Sequence, residues 1–168
     1  MKIFISWSGE KSQSVAQTLH DWLPLVIQSL EPFMSSEDIE AGRRWSAEVA
    51  GQLDATNFGL VCVTGENQAA PWLNFEAGAL AKAMGESNVV PLLVDLKPTD
   101  LRNPLGQFQA LAIDRAGITK VLQAINGAAK QPLAADVLDR LPSDAMHDAL
   151  KRAVGDRDLR ISWDSPAE

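Results

Sequence analysis

The sequence predicts an α/β chain, a parallel sheet with helices on both of its faces. Three observations predict it. Asn57–Thr64 contains the run FGLVCV, apolar without alternation, which marks a strand covered on both faces. Lys2–Ser6 (KIFIS) and Asn88–Asp95 (NVVPLLVD) read as two more buried strands. Stretches with apolar residues at helical spacing separate the strands, and that alternation implies βαβ units. A length of 168 residues suits one domain, on the prior of roughly 100–200 residues per domain.

Taken in order, Lys2–Ser6 opens the sheet, and Ser8 and Gly9 follow as a turn. Val15, Leu19, Trp22, Leu23, Val26, Ile27 and Leu30 then recur at helical spacing, predicting an amphipathic helix from about Glu10 to Leu30. Pro24 lies inside it and is expected to kink or divide it. Glu31–Met34 (EPFM) is a short second strand, which Pro32 restricts to a strand end or an edge. Ser35–Arg44 (SSEDIEAGRR) is a polar, turn-rich loop. A helix follows from about Trp45 to Ala55, with Trp45, Val49 and Leu53 on one face. Gly65–Ala69 is a loop, and a helix fills Ala70–Met84. Pro91 falls near the start of the Asn88–Asp95 strand. Lys97–Pro104 is loop, Phe108–Ile113 a short final strand, and Thr119–Ile125 part of a helix. Five such strands suit the flavodoxin-like order 2-1-3-4-5.

From about Gly127 the character changes. Val137, Leu138 and Leu141 suggest a short helix before Pro142, and Ser143 can cap another running to about Val154. The last stretch, DLRISWDSPAE, reads as a short strand or an ordered tail. We take residues 1–127 as one domain and 128–168 as a helical extension packed on it.

Composition narrows the function classes. Hydrophobic residues make up 46% of the chain, enough for an ordinary globular core. No run of about 18 apolar residues exists, and MKIFIS opens without a charged-then-apolar leader. A cytoplasmic protein without membrane attachment is the expectation. The single cysteine, Cys62, lies within FGLVCV and is expected to be a buried, inert thiol. A net charge of −7 disfavours direct nucleic-acid binding, which rests on neutralising phosphates. His20 and His147 stand far apart with no Cys/His or HExxH pattern, so no metal site is expected.

The stretch APWLNFEAGALAKAM, residues 70–84, carries the least ordinary chemistry. Pro71 suits the first helical position, and Leu73, Ala77, Leu80, Ala81 and Met84 form one apolar stripe. Glu76 follows Trp72 by four residues and shares its face. That face lies roughly 75° from the stripe's centre, which puts the carboxylate at the margin of the core. A plainer reading makes Glu76 a half-exposed residue that favours the helix dipole.

In open parallel sheets, ligands bind outside the carboxyl ends of the strands. That rule gathers Ser6–Glu10, Ser35–Arg44, Thr64–Asn67 and the start of the Glu76 helix, and with them Trp7, Trp45 and Trp72. The same segments resemble the TIR (Toll/interleukin-1 receptor) domain, the bacterial enzymatic branch in particular. FISWSGE at 4–10 is similar to the family's opening strand and loop. SSEDIEAGRRW at 35–45 is similar to its BB loop, with Glu40-Ala41 where the family often has Pro before the Gly. PWLNFEAG at 71–78 resembles its Trp-x-x-x-Glu helix. The similarity spans roughly residues 1–127.

The resemblance implies cleavage of the nicotinamide–ribose bond of NAD⁺, by hydrolysis or cyclisation, in defence signalling against phage. It assigns the catalytic carboxylate to Glu76, with Trp72 one turn before it, and it implies neither metal nor cofactor, NAD⁺ being the substrate. Phe4 and Ser6 match the strand that lines the family's pocket, although Phe4 also reads as plain core. Trp7 has two readings, stacking on a ring of the substrate or covering the end of the sheet. Arg43 and Arg44 either pair with the pyrophosphate or stand solvated at a helix start. Trp45 reads first as helix packing, and Ser35 and Ser36 first as turn residues. The implied partners are other TIR domains, through the BB loop Ser35–Arg44, and a defence effector or sensor protein.

Three other classes compete. A noncatalytic adaptor would use the same fold for homotypic binding. A phosphoacceptor receiver needs an Asp at the end of the third strand, where this chain has Thr64. A deoxyribosyltransferase-like enzyme would use a Glu for N-glycosidic chemistry on deoxynucleosides.

Overall fold

The strands align side by side in a five-stranded sheet of order β2-β1-β3-β4-β5, every neighbouring pair parallel. This is the order the sequence predicts. The computed structural model describes residues 1–35, 51, 53–85, 88–138 and 144–155. The strands are β1 Lys2–Ser6, β2 Glu31–Met34, β3 Phe58–Val63, β4 Val89–Leu93 and β5 Leu111–Ala112. The helices are α1 Glu10–Val26, α2 Pro71–Met84, α3 Arg115–Ala128, α4 Ala135–Leu138 and α5 Asp144–Val154.

Strand alternation splits the core in two. Ile3 and Ile5 of β1 and Trp7 just beyond it, with Phe58, Leu60 and Cys62 of β3, face α1, α3 and α5 through Val15, Leu19, Ile118, Val121, Met146 and Leu150. Phe4 of β1, with Val61 and Val63 of β3, faces Leu73, Ala77 and Leu80 of α2. Central β3 is buried at every position, which is why its sequence does not alternate. Pro32 lies on β2, the edge strand, where its missing N–H leaves no rung unpaired inside the sheet. Pro91 is the third residue of β4, and β5 pairs only with Leu92 and Leu93 beyond it.

Several boundaries differ from expectation. Pro24 neither divides α1 nor starts a new helix. It sits in the last turn, where losing one backbone bond costs little, and Ile27 closes the helix in extended conformation with its N–H on Leu23 O. Leu30 is already in the turn to β2. The final strand is two residues rather than six: Phe108 caps a 3₁₀ turn over Leu105–Gln107, and only Leu111 and Ala112 pair with β4. α3 starts earlier than predicted because Asp114 caps it, accepting from Gly117 N at 2.6 Å. Of the Trp45–Ala55 helix, residues 51, 53 and 54 are described and helical. Ser143 and the DLRISWDSPAE tail lie outside the described residues. No helix among the described residues is long and apolar enough to cross a membrane.

Candidate active site

β1 delivers its last residue, Ser6, to the face that α2 covers, two positions after Phe4. Phe4 itself is core, its ring 5.6 Å from that of Phe33. α2 begins at Pro71 and lays Leu73, Ala77 and Leu80 on the sheet, with Gly59 of β3 making room under Leu80. Glu76 goes in with that stripe and is 0% exposed. The sequence put this carboxylate at the margin of the core or half-exposed, and the structure puts it inside. Helical periodicity gives an angle about the axis but not the depth to which the helix sinks.

A buried carboxylate is tolerated only where hydrogen bonds replace water. Ser6 Oγ donates to Glu76 Oε2, and Ser6 is likewise fully buried. The two residues are 70 apart in the chain, so the strand order, not local sequence, brings them together. Trp72 stands one turn before Glu76, half-buried, its ring centroid 6.0 Å from that of Phe75. Phe75 is 55% exposed.

The loops beyond the strands are tied by polar side chains. Trp7 packs into the core on the opposite face from Ser6, and its Nε1 donates to Ser35 O at 2.6 Å. That placement matches the reading in which Trp7 covers the sheet end. Asn67, beyond β3, sends Nδ2 to Ser8 O at 2.9 Å and Cys62 O at 3.1 Å, and accepts from Thr64 N at 2.7 Å. It thereby joins the loops after β1 and β3. Asp95, beyond β4, accepts from Gly65 N at 2.8 Å and meets Lys11 Nζ at 3.2 Å. Ser12 Oγ, from the first turn of α1, donates to Ser8 O at 2.6 Å.

Among the residues singled out from sequence, the structure thus joins Ser6 to Glu76, with Trp72 one turn before Glu76 on α2. Phe4 and Trp7 belong to the two cores. Ser36, Arg43, Arg44 and Trp45 lie outside the described residues. Asn67, Asp95 and Lys11 were missed as positioning residues. Thr64 and Asn67, three apart after a strand, did carry the signal of a side chain that bonds nearby backbone in a turn.

A cavity of about 910 Å³ lies at the other end of the sheet, lined by Lys2, Val26, Ile27, Asn57, Leu133 and Val137 among others. It shares no residue with the Ser6–Glu76 pair. Volume and chemistry point to opposite ends, and the buried, hydrogen-bonded carboxylate is the rarer feature. When ionised, a carboxylate fixed in so dry a setting stabilises a positive charge developing nearby far more than it would in water.

Comparison with curated proteins finds no match. Among solved structures, the chain is similar to the TIR domains of the activated Roq1 resistosome that directly recognizes the pathogen effector XopQ. Identity there is 19%, the TM-score is 0.46, and the alignment covers 91% of this chain and 82% of that one. The TIR domain family model matches residues 3–125. That match runs from the first strand into α3, with part or all of each of the five strands and all of α2, so the chain belongs to the TIR domain family.

Proposed function

We propose that this TIR domain cleaves NAD⁺ at the nicotinamide–ribose bond, releasing nicotinamide and either ADP-ribose or a cyclic isomer of it. The observation that carries the reading is Glu76, wholly buried at the carboxyl end of the sheet and hydrogen-bonded by Ser6. The chemistry asks for little more. The C–N bond breaks with its electron pair going to a cationic pyridinium nitrogen, so nicotinamide leaves neutral and needs no general acid. The ribose gains oxocarbenium character, as in other glycoside cleavages. A fixed carboxylate stabilises that charge and accepts hydrogen bonds from ribose hydroxyls. Water then adds at the anomeric carbon and loses a proton to solvent, giving ADP-ribose. Attack by an adenine nitrogen gives the cyclic product.

Membership of the TIR family supports two further parts of the proposal. The domain associates with other TIR domains through Ser35–Arg44, and it signals in cytoplasmic defence with an effector or sensor protein. Arg43 and Arg44 are the proposed pyrophosphate contacts and Trp72 a proposed substrate contact. No metal or cofactor is needed.

The alternative is a noncatalytic adaptor, in which the Ser6–Glu76 bond is only part of the fold. One assay separates the two. Nicotinamide release from NAD⁺ is measured for the native chain and for folded Glu76→Gln, dilute and concentrated, with mass spectrometry of the second product. We expect release by the native chain, steeper than linear in protein concentration, and a loss of a hundredfold or more in Glu76→Gln. Equal release by both proteins overturns the site. No release at any concentration favours the adaptor. Cleavage of deoxynucleosides but not NAD⁺ moves the reading to a deoxyribosyltransferase-like enzyme.

A further inference from the structure

Ser6 is matched by sequence to a strand that lines a substrate pocket, yet its place in the structure assigns it other work. Its backbone sits in the middle of the sheet. Ser6 pairs with Val61 of β3, and on the other side Ser35 N bonds Ile5 O at 2.9 Å. Trp7, the next residue, is pinned by its own bond to Ser35 O, and Ser8 O is held by Asn67 and Ser12. The position of Ser6 Oγ is thereby fixed to within one rotatable bond. Glu76 reaches its carboxylate through three rotatable bonds, whose freedom an anchoring hydrogen bond removes. A hydroxyl has one proton to donate, and that of Ser6 is committed to Glu76 Oε2. The Ser6 side chain, like that of Glu76, has no exposed surface.

We propose that Ser6 is a positioning residue: it locks the orientation of the Glu76 carboxylate and does not itself contact substrate. The assignment rests on the NAD⁺-cleaving reading for its catalytic consequence, and on the Ser6–Glu76 bond alone for its structural one. Fixing one carboxylate oxygen on β1 sets the orientation of the group. Misplacement of a catalytic group by even about 1 Å is worth up to a hundredfold in rate.

The test compares the native chain with Ser6→Ala, Ser6→Cys and Ser6→Thr, each checked for folding by its unfolding midpoint. Ser6→Cys keeps the volume with a much weaker donor, should Ser6→Ala not fold, and Ser6→Thr restores the hydroxyl. We expect kcat for nicotinamide release to fall about tenfold or more in the Ala and Cys variants, KM to stay within about twofold, and Thr to recover most of the loss. In parallel, the ¹³Cδ resonance of Glu76 should move in Ser6→Ala and return in Ser6→Thr. Unchanged kcat, or a rise in KM alone, overturns the proposal while the enzyme reading stands. Absence of nicotinamide release from the native chain is instead the failure of that reading. The ¹³Cδ shift then decides whether Ser6 orients the carboxylate, and an unmoved resonance overturns it.

Discussion

Cys62 lies at the fifth position of β3, buried between the helices of one face and its neighbours in the sheet. Burial disfavours its thiolate and pushes the thiol up to about 12, from an ordinary 9.0. The unfolded chain then gives up this proton at lower pH than the folded one. Stability from the protonated thiol is complete below pH 9.0 and is lost as pH rises toward 12. Between pH 8 and about pH 10.5 the native chain should lose about 2 kcal/mol that Cys62→Ala does not, read from urea midpoints at both values. The chain has no tyrosine, so lysines dominate the shared background in that window. The same burial should leave the folded thiol unreactive toward a thiol reagent at pH 8 and fully reactive once unfolded. Cys62 could be read from sequence because its neighbours in FGLVCV decide its surroundings. Glu76 was half legible: its spacing from Trp72 gave the face, while its depth and its partner Ser6 depended on residues 70 positions away.

At the scale of elements, close approach of backbones decides more than propensity. Gly117 lies in the first turn of α3, where a Cβ would fall 1.8 Å from Ala112 O and 2.9 Å from Ala112 C. That oxygen belongs to β5 and cannot swing aside like a side chain. Gly117→Ala gains about 1 kcal/mol of helix propensity but forces α3 off the sheet edge, and we expect a net loss of about 2 kcal/mol or more. Gly78, in the middle of α2, has nothing within 4 Å of its would-be Cβ. Gly78→Ala should raise stability by about 0.5–1 kcal/mol. Thermal unfolding of the two variants tests both signs at once. Elements with strong internal patterns, β3 and α2, were legible nearly to the residue. Ends set by tertiary contacts were not: α1 stops at Val26 as the chain turns into β2, and β5 is only as long as its pairing with Leu92 and Leu93.

Across the whole molecule, the question is whether the residues after α3 belong to the same cooperative unit. The family match ends at residue 125, and composition shifts near Gly127. Packing nevertheless continues. Asn126 receives Leu133 N on Oδ1 at 2.7 Å and donates Nδ2 to Leu133 O at 3.0 Å, which folds the chain back toward α1. Leu138 of α4 and Met146 and Leu150 of α5 then join the core that holds Ile3, Val15 and Leu19. Sequence periodicity revealed both helices, but the surface of α1 that receives them is apolar for reasons no local window contains. Leu150 is 0% exposed, so Leu150→Ala should cost about 3 kcal/mol, within the range for a buried leucine that leaves a cavity. If α5 is part of one unit, the loss shifts the entire urea transition, with tryptophan fluorescence and far-ultraviolet circular dichroism moving together. A separate early transition in Leu150→Ala, with the main one left in place, would instead make the extension an independent layer on the TIR core. Such a layer could unfold while the sheet and the Ser6–Glu76 pair persist. Nicotinamide release measured across the same urea series then places the activity with the sheet or with the whole chain.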